Sequence, residues 1–133
     1  MSKIKVGQTA TVTKSFTEED VNAFASLSLD FNPVHLDAKY AKTTPFGQQI
    51  VHGMLASSLF SGLLGKNLPG EGTIYLGQDL KFKKPIYIDQ AVTATVEVID
   101  IRDDKPIITL SATCKNDQGV TVISGQAVVM YEG

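Results

Sequence analysis

Polar and apolar positions along the chain change their period several times, and each change predicts an element. Thr9-Ala10-Thr11-Val12-Thr13 is rich in β-branched residues and predicts a short strand. Phe16-Thr17-Glu18-Glu19-Asp20 then reads as a helix start. Thr17 is placed to cap it, Asp20 to complete a capping box, and the acids to complement the helix dipole. Val21, Phe24, Ala25 and Ser28 recur at helical spacing on one face, and the helix is expected to end near Leu29. Asp37 to Lys42 fits a helical turn capped by Asp37, with Tyr40 expected to pack rather than cover a site.

The most apolar segment runs from about Gly53 to Leu64, with no charge before Lys66. It falls short of the ~20 apolar residues of a membrane span, so it predicts a buried helix. Lys66 to Gly72 is a loop by composition. Strands are expected near Thr73–Phe82, Ala91–Arg102, Pro106–Lys115 and Val120–Met130, separated by turn-rich segments. Val92-Thr93-Ala94-Thr95-Val96-Glu97-Val98 alternates cleanly, which implies one buried face and one wet or interface face. Short connections favour antiparallel pairing. One long apolar helix with these strands predicts an α+β fold, a sheet wrapped around a helix.

A chain of 133 residues suits one domain with a sizeable core. The net charge is -2 and no Lys/Arg block reads as a nucleic-acid footprint; Lys81, Lys83 and Lys84 form too small a group. Cys114 is the only cysteine, so no internal disulfide forms, as expected in a reducing compartment; it reads as sheet filler rather than a nucleophile. No apolar run near the start reads as a secretory signal, so a cytoplasmic protein without a membrane segment is expected.

Candidate chemistry concentrates between Asp30 and Gly53, which hold both histidines. Pro33 biases Asn32 away from helical backbone, so Asp30-Phe31-Asn32-Pro33 is a turn or extended loop. Asp30 and His35 therefore meet across a bend, if they meet at all. A carboxylate beside an imidazole suits proton transfer near neutral pH. Spacing alone favours a plain turn in which Asp30 caps the backbone and His35 lies on the surface. The helix after His52-Gly53 adds a second feature. A buried helix starting at glycine leaves unpaired N–H groups with partial positive charge, suited to an oxygen that becomes negative during reaction. Tight packing is the other reading of Gly53, and His52 reads more simply as structural.

The set Asp30-x-Asn32-Pro33-x-His35, Phe46-Gly47 and Ile50-x-His52-Gly53, continued by Leu68-Pro69-Gly70 and Phe82-x-x-Pro85, resembles the signature of the MaoC-like, R-specific enoyl-CoA hydratases. The likeness spans nearly the whole chain. It implies the hot-dog fold, an antiparallel sheet wrapped around a long central helix, and a homodimer. It implies an acyl-CoA substrate, with acyl-ACP as the other carrier, and reversible addition of water to a trans-2-enoyl thioester. Short members of this kind supply monomers for polyhydroxyalkanoate synthesis. The resemblance assigns acid–base work to Asp30 and His35, water or imidazole orientation to Asn32, an oxyanion site to the Gly53 N–H, and acyl-pocket lining to Ser61 and Leu64. It implies no metal and no cofactor. Plain core packing is as good a reading for Ser57 and Ser58, and the three lysines read as solvated unless they meet CoA phosphates. A 3-hydroxyacyl-ACP dehydratase, a thioesterase on the same scaffold and a non-catalytic thioester-binding module are the alternatives.

Overall fold

The computed structural model describes residues 4–133, so the expectation for the start of the chain lies partly outside the described residues. In chain order the elements are β1 (Thr9–Ser15), α1 (Glu18–Ser28), α2 (Pro33–Leu36), α3 (Ala38–Lys42), α4 (Gly53–Lys66), β2 (Ile74–Gln78), β3 (Lys81–Phe82), β4 (Ala91–Ile101), β5 (Ile107–Asn116) and β6 (Thr121–Met130).

The strands form one six-stranded sheet in the order β1-β4-β5-β6-β2, with β3 also paired to β6. Every pairing is antiparallel. Alternation along β4 fixes its faces: Val92, Ala94, Val96 and Val98 are buried, while the residues between them are more open. On the buried face of the sheet these residues join Leu110, Ala112 and Cys114 from β5 and Val122, Ile123, Ala127 and Val129 from β6. Ala56, Phe60, Leu63 and Leu64 of α4 complete the same cluster. Phe60 is fully buried, and burying a side chain of that kind stabilises the fold by about 1.5–3 kcal/mol. This is the hot-dog arrangement, with α4 seated against the sheet.

Local signals explain most element ends. Thr17 accepts from the Asp20 N–H while the Asp20 carboxylate accepts from the Thr17 N–H, completing the capping box of α1. Asp37 caps α3 by accepting from the Lys39 and Tyr40 N–H groups.

Two expectations need correction. The strand expected over Thr73–Phe82 is divided into β2 and β3, with a register shift between Tyr75 and Gly77. Between them the chain stays alongside β6, the Asp79 N–H donating to the Gln126 carbonyl at 3.0 Å. Gly125 makes room for this link: a Cβ there would lie 1.9 Å from the Asp79 carbonyl oxygen. Nor is α4 covered all round. Its Ala56, Ser57, Phe60, Leu63 and Leu64 face is buried, but Met54, Ser58, Ser61 and Gly62 lie on an open side. The sheet reaches one face of the helix, because the described chain forms a single layer of strands.

Candidate active site

A relay of caps delivers Asp30 and His35. The helix α1 ends with Leu29 in the left-handed region at φ 66°, its N–H donating to the Ala25 carbonyl at 2.8 Å. The Ser28 hydroxyl accepts the Asp30 N–H at 3.2 Å, and the Asp30 Oδ1 accepts the Asn32 N–H at 3.2 Å. Asn32 repeats the device, its Oδ1 accepting the Val34 N–H at 3.2 Å as the cap of α2, where Pro33 fills the first helical turn. His35 lies two residues further on and is buried. The plain reading of Asp30 as a turn cap is therefore true of one carboxylate oxygen. The meeting with the imidazole is true as well: one side-chain donor atom from each of Asp30, His35 and His52 lies within 4.8 Å of the others.

The rings of His35 and His52 are held differently. His35 Nδ1 lies 2.7 Å from the Ile50 carbonyl oxygen, so Nδ1 carries the proton it donates there and Nε2 is left for the cavity. The segment supplying Ile50 is itself fixed: the Ile50 N–H donates to the Val34 carbonyl at 3.3 Å, and the Val51 N–H to the Ile86 carbonyl at 2.7 Å. The Gln49 amide adds a bond to the His35 carbonyl at 2.7 Å. His52 donates from Nε2 to the Asp30 backbone carbonyl at 3.1 Å. Its ring stacks on His35 with centroids 3.9 Å apart and planes inclined by 26°. Phe24 meets its edge at 4.9 Å. Burial pushes the His52 imidazole below its ordinary value, and the neighbouring His35 lowers it further; the Asp30 carbonyl and the Asp30 charge act in the opposite sense.

Gly53 opens α4 directly after His52, and no side chain caps this helix end. Its first amides therefore keep the partial positive charge of an uncapped N-terminus. Asp30, His35, His52 and Gly53 line a cavity of about 360 Å³ that Phe82, Lys83 and Lys84 also border. This lies within the range of small-molecule sites.

The sequence-predicted site residues divide accordingly. Asp30, His35 and Gly53 come together. Asn32 stands beside them in the chain, with its amide oxygen committed to the Val34 N–H at the start of α2. Ser61 lies apart, on a second cavity of about 410 Å³ between α4 and β2, together with Met54, Tyr75 and Leu76. Leu64 is buried in the core and borders neither cavity, because its side of the helix turns toward the sheet. Tyr40 is exposed and does not line the main cavity, so the packing expected of it is only partial. Ser57 and Ser58 bond back to the helix, to the Gly53 and Leu55 carbonyls. Phe82 and the Ile50 carbonyl were not legible as site groups. Both reach the cavity through pairings remote in sequence, Phe82 opposite Ile123 of β6 and Ile50 opposite Tyr87.

Asp30, His35 and His52 are also the residues nearest to forming a metal-ligand set among those described. The stacked rings argue against a shared ion. Imidazole lone pairs lie in the ring plane, and two planes at this separation have not converged at a metal–nitrogen distance of about 2.0–2.1 Å.

Comparison with known proteins agrees with this geometry. The family described as MaoC-like domain matches residues 2–119, and the chain belongs to that family. It is 54% identical over 126 residues to the (R)-specific enoyl-CoA hydratase of Aeromonas caviae, covering 95% of this chain and 94% of that protein. It is 46% identical to the (R)-specific enoyl-CoA hydratase of Rhodospirillum rubrum, covering 96% and 88%. The solved structure of the A. caviae (R)-hydratase involved in PHA biosynthesis superimposes with a TM-score of 0.96, at 52% identity over 98% of each chain.

Proposed function

We propose that the protein is an (R)-specific enoyl-CoA hydratase, a hydro-lyase that adds water reversibly to a trans-2-enoyl-CoA and forms the (R)-3-hydroxyacyl-CoA. The observation that carries this reading is the meeting of one carboxylate and one imidazole within 4.8 Å, on a cavity shared with Gly53 at an uncapped helix end. The relatives in A. caviae and R. rubrum support the reaction, its stereochemistry and the CoA carrier.

The thioester carbonyl oxygen binds at the Gly53 N–H. Asp30 and His35 hold a water over the double bond, Asp30 through the oxygen not spent on Asn32 and His35 through Nε2. As the water attacks C3, Asp30 takes its proton. Charge moves onto the thioester oxygen, where the helix amides stabilise it; losing one such donor costs about 10²–10³-fold in rate. His35 enters this step protonated at both ring nitrogens, beside an ionised Asp30; it gives its Nε2 proton to C2 while Nδ1–H stays bonded to the Ile50 carbonyl. A proton then passes from Asp30 to His35, restoring the pair. Dehydration runs through the same groups in reverse. Asn32 keeps His35 in place by capping its turn. Ser61 meets the acyl chain along the second cavity, while Leu64 packs into the core.

The active form is a homodimer. Met54, Ile74, Tyr75, Leu76 and Phe82 are exposed together around the open side of α4 and the edge strand β2. Apolar residues gathered on a sheet edge mark a surface that a second copy covers. Among the described residues no helix is long and apolar enough to cross a membrane. A cytoplasmic setting suits Cys114, a free buried thiol.

The test is a chain-length series of trans-2-enoyl-CoA substrates, with enoyl-ACP in parallel. Loss of enoyl absorbance is followed, free thiol is assayed, and the product is resolved on a chiral phase. The expected product is the (R)-3-hydroxyacyl thioester with the thioester intact. Thiol release without hydration, or tight binding without turnover, would contradict the assignment.

A further inference from the structure

We infer that His52 is a positioning residue that holds the two proton-transfer groups and the oxyanion site in one rigid unit; this rests on the hydratase reading above. Each part of the site touches it. Its Nε2–H holds the Asp30 carbonyl at 3.1 Å, fixing the loop that carries the carboxylate. Its ring is the floor on which His35 lies, 3.9 Å between centroids. Its backbone precedes Gly53, and its carbonyl accepts the Ala56 N–H at 3.1 Å, closing the first turn of α4.

A residue that only filled space would be chosen differently. His52 is 2% exposed, and its Nδ1 has no hydrogen-bond partner among the described residues. Burying an unpaired polar atom is costly, and an apolar ring of the same shape would avoid that cost. What an apolar ring lacks is the Nε2–H toward Asp30. The bond also selects the tautomer: Nε2 carries the proton and Nδ1 is bare, so the ring enters the stack uncharged. The titratable groups that line the cavity with this unit are Asp30, His35, Lys83 and Lys84. An uncharged His52 leaves a single imidazole, that of His35, free to gain and lose the proton.

The experiment compares His52→Gln, whose amide N–H reproduces the donor, with His52→Met, which has similar length and no donor. Hydration of crotonyl-CoA is measured as kcat and KM separately, with the melting temperature of each variant. The Met variant is expected to lose kcat by about 10–100-fold with KM little changed, as for a misplaced reacting group. Gln is expected to restore most of that loss. Unchanged kcat in the Met variant, or a loss that Gln does not rescue, overturns the proposal. A second reading needs no variant: nitrogen-15 NMR of the wild-type protein should show His52 protonated at Nε2 alone throughout the active pH range. The other tautomer, or the imidazolium, overturns it equally. If the wild-type protein itself fails to hydrate enoyl-CoA, it is the underlying hydratase reading that fails, a result distinct from these.

Discussion

A methyl group on Gly53 would lie 2.6 Å from two atoms of the Phe82 ring. The backbone at Gly53 is not in the left-handed region, so alanine is conformationally acceptable at this first helical position. The constraint is therefore the ring. Phe82 is half exposed and able to swing, but it borders the same cavity as Asp30 and His35. Gly53→Ala should fold and melt near wild type while losing turnover about tenfold or more, because a reacting group or substrate displaced by even 1 Å costs rate on this scale. Phe82→Ala in that background should recover activity. Equal loss in the single and double variants would show that the added methyl obstructs the site directly.

Gly125 has a purely structural counterpart. Its missing Cβ is the space through which the Asp79 carbonyl passes, at 1.9 Å from where that atom would be. The obstacle is backbone held between two paired strands and has no rotamer to change. Gly125→Ala should lower the unfolding free energy by about 3 kcal/mol or more, at the upper end of overpacking costs, read from urea denaturation. A loss within about 0.5 kcal/mol, typical of neutral surface changes, would mean that the link between β2 and β3 passes Gly125 differently.

His52 makes stability depend on pH. Burial lowers its pKa from the ordinary 6.5, so below that pH the unfolded chain takes up the proton before the folded one does. The stability associated with its neutral form is complete above 6.5 and is lost as pH falls through the interval down to the depressed folded value. Melting temperatures from about pH 7.5 to about pH 5 should fall more steeply for the wild type than for His52→Gln, which has no group to protonate. Parallel curves would mean that His52 titrates alike in both states.

The parts legible in the sequence are those whose cause is local. Thr17 with Asp20, Asp37 ahead of α3, and Asp30-Phe31-Asn32-Pro33 ahead of His35 each announce a cap or bend within a few residues, and the structure contains each of them. The alternation of β4 identified its buried face for the same reason. What stayed hidden depends on partners far along the chain. Nothing in Ile74 to Phe82 reveals that Gly125 makes room for the Asp79 carbonyl. Leu29 adopts a left-handed conformation that sequence reasoning reserves for glycine or asparagine. Ser61 and Leu64 share a helical face by spacing, yet only the position of the sheet decides that one opens to a cavity and the other enters the core. His52 was legible as a helix neighbour; its stacking on His35 is tertiary.

The most direct measurement is hydration of crotonyl-CoA by Asp30→Asn and His35→Ala, followed by loss of enoyl absorbance, with circular dichroism to establish that each variant is folded. General acid–base groups contribute about 10²–10⁴-fold, so each variant should turn over at least about a hundredfold more slowly than the wild type. A folded variant with near-wild-type turnover would remove that residue from the reaction and contradict the Asp30–His35 mechanism.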